Sequence, residues 1–171
     1  MAMTGAATMS LAALVGRWRT RGRTIETPEG PAVPIDAVDT YEWLPGSLAL
    51  LHTVDARVGD EHVEGAEIIG WNSALRAYVT LYCGSDGLNR YEASLAEEDG
   101  GLVWRMRSAR DRFTGTFSDD GNTIDGHWEQ LDDEDGWQPW MEVTLTKMKA
   151  PKERLEQVGR SDDPRVERNW R

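Results

Sequence analysis

One cysteine, three histidines and two phenylalanines are all that this 171-residue chain holds of those residues, and each scarcity excludes something. A lone Cys83 forms no internal disulfide and supplies no multi-cysteine metal site. With no fixed basic partner beside it, Cys83 is not expected to be a reactive nucleophile. His52, His62 and His127 fall on different predicted elements without paired-ligand spacing, so no metal is expected. The acidic run 132–136 does not fit a calcium loop, since placing Gly136 at its sixth position puts Leu131 at the first. No Gly-x-Ser-x-Gly, phosphate loop or dinucleotide fingerprint occurs, and no cofactor is implied. Long apolar runs are missing as well. The start, MAMTGAATMSLAALVG, has no basic n-region and only a five-residue apolar stretch over 11–15, too short for a signal peptide or a membrane span. The expectation is a cytoplasmic protein.

Positive charge is also scarce. The formal net charge is −11. Up to Lys149 there are 13 basic against 25 acidic residues, and six against five in the remaining tail. Such a field repels phosphates, which argues against nucleic acid and anionic membrane as partners. The arginine excess over lysine, sixteen to three, reads as coding bias.

What is present is alternation. Over 113–117, 124–129 and 141–146, apolar and polar residues alternate with a period of two, separated by turns around Asp119-Asp120-Gly121-Asn122 and Asp135-Gly136. Strict alternation broken by Asp-Gly is a strong hairpin signal. The same device recurs upstream. Ser10 can cap a short helix over 11–15, with Gly16 as its stop. Strand one then places Arg17, Arg19, Arg21 and Arg23 on one face and Trp18, Thr20, Gly22 and Thr24 on the other. The arginine row reads as an outward stripe that pairs with acidic neighbours, with a phosphate site as the competing reading. Strand two covers 35–44, strand three 48–57 and strand four 63–71, with further strands near 78–83, 89–95 and 102–107. Between residues 46 and 100 the turns recur every 13 or 14 residues without a sequence repeat, which describes a meander and not a solenoid. About ten consecutive strands without an amphipathic helix should curl and close. The fold class is therefore all-β, an up-and-down antiparallel barrel over 1–149 with a short N-terminal helix. Residues 150–171, charged and containing Pro151 and Pro164, form a separate, flexible tail.

A short helix followed by Gly16-Arg17-Trp18 at the start of an antiparallel barrel resembles the lipocalin-like (calycin) superfamily, whose Gly-x-Trp tryptophan plugs the closed end. Ile69-Gly70-Trp71-Asn72, Ser85-Asp86-Gly87, 117–121, His127-Trp128-Glu129, Asp135-Gly136-Trp137 and Pro139-Trp140-Met141 resemble an uncharacterised bacterial branch catalogued as a domain of unknown function. The likeness covers about residues 10–149. Lipocalins usually pair this tryptophan with a last-strand arginine; here the nearest cation is Lys147 or Lys149. A related family of bacterial barrels binds haem through a histidine near the C-terminus, and no histidine follows His127. The resemblance implies a fold and carries no catalytic residue over.

Alternation points Trp18, Thr20, His52, Glu67, Trp71, Tyr78, Tyr82, Tyr91, Trp104, Met106 and Trp128 into the barrel, and this set is the candidate ligand lining. An interior of this kind suits a small, largely apolar or aromatic ligand in a pocket of about 300–1,000 Å³. His52 and Glu67 lie on adjacent strands at similar heights. They are read either as an acid–base pair, with His52 as base and Tyr78 as a nearby donor, or as a structural hydrogen bond. In the first case the barrel is a cofactor-independent cyclase, isomerase or dehydratase. In a third reading it scaffolds a partner. Trp137 and Trp140 flank Pro139 and either line the mouth, making Trp140 a ligand contact, or pack under the acidic turn. The expected partner is a small molecule, and a homodimer is left open.

Overall fold

The computed structural model describes residues 11–28, 30–85, 87–134 and 136–149; Ser10 and the tail reading lie outside them. The strands are β1 (Gly16–Thr24), β2 (Pro34–Trp43), β3 (Ala49–Val58), β4 (Glu61–Asn72), β5 (Ala77–Gly84), β6 (Gly87–Glu98), β7 (Gly101–Arg107), β8 (Asp111–Phe117), β9 (Thr123–Leu131) and β10 (Trp137–Lys147). Each pairs antiparallel with its sequence neighbours, and β1 pairs with β10 to close the barrel. Closure leaves neither β1 nor β10 as an open edge. No helix among the described residues is long and apolar enough to cross a membrane.

The short helix expected over 11–15 is a single turn. Leu14 N–H donates to Leu11 O at 3.0 Å and Val15 N–H to Ala12 O at 3.2 Å, the tight spacing of a 3₁₀ turn. That turn shuts one end of the barrel. Leu11 and Leu14 are buried beside Trp18, which has no exposed surface. The Trp18 indole donates to Leu14 O at 2.7 Å, and Phe117 meets the ring edge-on at 6.2 Å. Lys147 supplies the cation, its Nζ 5.0 Å from the Trp18 ring centre. The last strand thus provides a lysine where lipocalins place an arginine. Burying one indole contributes roughly 4–6 kcal/mol at most, so Trp18 anchors this end.

Strand one behaves as alternation requires: Trp18 and Thr20 are buried while Arg17, Arg21 and Arg23 are exposed. Arg19 pairs with Asp36 and Arg23 with Glu142 at 3.5 Å, so part of the arginine row is matched by acids on β2 and β10. The seam between β1 and β10 is tight at Gly22. A Cβ there would stand 2.0 Å from the Glu142 carbonyl oxygen, and that atom is backbone that cannot step aside. Gly22→Ala is expected to open the closing seam and cost about 2–4 kcal/mol in urea unfolding. A loss below about 0.5 kcal/mol, the range of neutral surface changes, would show that the seam is slack.

Candidate functional site

The inward row of β2 is Ile35, Ala37, Asp39, Tyr41 and Trp43, and the barrel register places Tyr41, His52 and Glu67 in one line across β2, β3 and β4. His52 Nδ1 lies 3.1 Å from Glu67 Oε2, and its Nε2 lies 2.8 Å from Asp39 Oδ1. The Thr20 hydroxyl donates to the second Asp39 oxygen, and Tyr41 stacks on the imidazole at 4.1 Å with the rings 4° from parallel. The side chains of His52, Asp39 and Glu67 are only 13%, 10% and 4% exposed. Burial works against the imidazolium, but hydrogen bonds to Asp39 and Glu67, together with their charges, outweigh it and raise the His52 pKa to about 9. Burial, then the charges of Asp39 and Glu67, pushes the Tyr41 phenol well above its usual value. One oxygen of the array has nothing to bond: Glu67 Oε1 is buried without a partner among the described residues, as is Thr80 Oγ1 on β5. An unmatched buried carboxylate oxygen costs on the order of 1–3 kcal/mol or more.

The sequence-predicted residues separate into groups. Thr20, His52 and Glu67 meet in the array. Trp71, Tyr78 and Trp104 form a chain of rings, with Trp71 5.2 Å and Trp104 5.8 Å from Tyr78. Tyr78 is therefore packed between indoles, and the tyrosine stacked on His52 is Tyr41. Tyr91, Phe113 and Trp140 surround Trp128 at 6.2, 5.1 and 6.2 Å, and Met106 is buried in the same core. Tyr82 stands opposite Glu67 with its ring against two glycines: a Cβ on Gly65 would meet its phenol oxygen at 2.2 Å, and one on Gly84 its ring at 2.6 Å. Trp18 belongs to the closed end, with no free surface. Trp137 and Trp140, expected to act together at the mouth, part company. The register of β10 shifts between Pro139 and Met141, so Trp140 packs on Trp128 while Trp137 lies under the guanidinium groups of Arg107 and Arg112 at 5.4 and 4.5 Å.

The family model described as "Protein of unknown function (DUF1579)" matches residues 4–147. The chain belongs to this family. Among solved structures it is similar to Rv2717c from M. tuberculosis, with a TM-score of 0.66 and 12% identity over 84% of this chain and 98% of that one. It is also similar to the S-type phycobiliprotein lyase CPES from Guillardia theta, with a TM-score of 0.55 and 10% identity over 88% of this chain and 96% of that one. No curated protein sequence matches the chain. At such low identity the two structures establish a shared barrel fold.

Asp39 and Tyr41 are the members of the site that sequence reading missed. The signal was there: Ile35, Ala37, Tyr41 and Trp43 share the phase of Asp39, so an inward apolar row carries the acid inside with it. No group of three or more His, Cys, Asp or Glu suited to a metal occurs among the described residues. Each ring nitrogen of His52 faces a carboxylate, so the ring serves both as a donor and is poorly placed to accept a proton. Because its folded pKa, about 9, is raised above 6.5, the stabilisation it brings is complete below pH 6.5 and is lost as pH rises through 9. Stability measured by urea unfolding should fall across that window by on the order of 3 kcal/mol, and His52→Gln should flatten the fall. An unchanged slope in the variant would assign the effect to other groups.

Proposed function

We propose that this barrel binds one small, largely apolar or aromatic ligand in its lumen, beside the Asp39–His52–Glu67 array. The observation that supports it best is the buried Glu67 Oε1, a carboxyl oxygen left without a donor among the described residues and set among rings that offer apolar surface. Trp71, Tyr82 and Trp128 are inward-facing yet only partly buried, which leaves aromatic area for a ligand to cover. The fold likeness to a protein named a phycobiliprotein lyase is in keeping with a small molecule held in such a barrel.

The same oxygen favours one second reading, a cofactor-independent enzyme of cyclase, isomerase or dehydratase type. In that case Glu67, and not His52, is the base, since both imidazole nitrogens face carboxylates. Tyr78 serves as packing between Trp71 and Trp104. A turnover assay on an identified ligand separates the readings: Glu67→Gln abolishes turnover in the enzyme and leaves nothing to abolish in the binder.

Titrating a library of small aromatic compounds against intrinsic tryptophan fluorescence tests the lumen reading, and a library without a single saturable hit contradicts it. For any hit, calorimetry should show Trp140→Ala weakening affinity about tenfold. Trp137→Ala should leave affinity within twofold and lower stability by roughly 1–2 kcal/mol, the value of two cation–π contacts. Equal loss of affinity in both variants would place the ligand outside the lumen.

A further inference from the structure

We infer that the lumen selects an organic cation, a small molecule whose protonated nitrogen sits against Glu67 Oε1 while its apolar body lies against the surrounding rings. The inference rests on the lumen reading above and adds the chemical class of the ligand. It follows from counting protons. The two hydrogen bonds at His52, to Asp39 at 2.8 Å and Glu67 at 3.1 Å, require two protons between three groups. With both protons on the ring, as donor to each carboxylate, two carboxylates and one imidazolium carry a net charge of about −1. Thr20 adds a neutral donor to Asp39 and changes nothing in that count.

The wall does not neutralise this charge. Besides His52, the cation on the inward face of the described strands is Lys147, and its Nζ stands over Trp18 at the closed end. The other polar side chains around Glu67 are neutral or acidic: hydroxyls, the Asn89 amide opposite Tyr82, and Asp111, which accepts from the Tyr91 hydroxyl at 3.5 Å. Tyr82 is the cross-strand partner of Glu67, Tyr41 feels its charge, and the Thr80 hydroxyl has no partner among the described residues. These can orient a ligand but cannot balance a charge. Aromatic faces carry negative quadrupoles and favour cations over anions, so the half-covered rings of Trp71 and Tyr82 bias the site in the same direction as the carboxylate. An anionic ligand would meet repulsion from both. A neutral donor would satisfy Oε1 but leave the charge unmatched.

Three probes of one shape test this on the full chain: 4-phenylbutylamine, 4-phenylbutan-1-ol and 4-phenylbutyrate, titrated by calorimetry at pH 7. The amine should bind at least tenfold more tightly than the alcohol, and the carboxylate more weakly than either. Glu67→Gln should abolish the preference for the amine over the alcohol. If Glu67→Gln fails to fold, Asp39→Asn lowers the charge of the array without touching the contacting oxygen and should cut the preference for the amine at least fivefold. Equal binding of amine and alcohol, or tightest binding of the carboxylate, overturns the cation inference and leaves a lumen ligand standing. Failure of all three probes to bind at millimolar concentration overturns both.

Discussion

A single imidazole ties three strands together. His52 on β3 bonds Asp39 on β2 and Glu67 on β4, so the three strands share one register at this height. A slip by one residue in any of them would turn a charged side chain outward and leave its partners buried and unmatched. The cost of breaking one member of a buried charged set is several kcal/mol, more than most single apolar contacts supply. Closure of β1 on β10 extends that constraint around the ring, because a closed barrel admits no compensating slip at an edge. The inward row is therefore fixed throughout: Thr20 reaches Asp39, Tyr41 covers the imidazole, and Tyr82 faces Glu67.

The two ends of the barrel use aromatic residues differently. At the closed end Trp18 is sealed by Leu11, Leu14 and Phe117, with its indole N–H satisfied by Leu14, and nothing remains for a ligand. Around Trp128 the rings of Tyr91, Phe113 and Trp140 meet at angles, with centres 5.1 to 6.2 Å apart, and Trp128 keeps part of its surface. A Cβ on Gly126 would meet the Phe113 ring at 2.5 Å, so glycine makes that spacing possible. Gly65 and Gly84 let the Tyr82 ring lie against the wall, where any side chain would push it inward. The charged array stands between a rigid plug and this looser aromatic region, as a polar anchor for an apolar guest would.

Much of this was legible from the chain. Asp-Gly turns and a period of two gave ten strands in order, because antiparallel neighbours need only local signals. The closed-end place of Trp18 came from the resemblance carried by Gly16-Arg17-Trp18, and His52 and Glu67 were close enough in phase to be paired. Strand two hid its contribution. Its two faces each carry acid, Asp36 and Glu42 on one and Asp39 on the other, so charge could not orient it, and only the company of Ile35, Tyr41 and Trp43 does. The tryptophans of β10 failed for a different reason. Pro139 sits at a register shift, and a bulge changes the phase of everything before it. No alternation rule predicts that Trp137 goes out to Arg107 and Arg112 while Trp140 goes in to Trp128.

The account turns on protons that both ring nitrogens of His52 must carry. Nitrogen-15 NMR of the imidazole at pH 7, in protein labelled at histidine, reads each nitrogen separately. The structure predicts that Nδ1 and Nε2 of His52 both resonate as protonated nitrogens. A His52 spectrum showing one bare nitrogen at pH 7 would contradict it, since the array would then lack the shared protons on which its charge, its register and its choice of ligand depend.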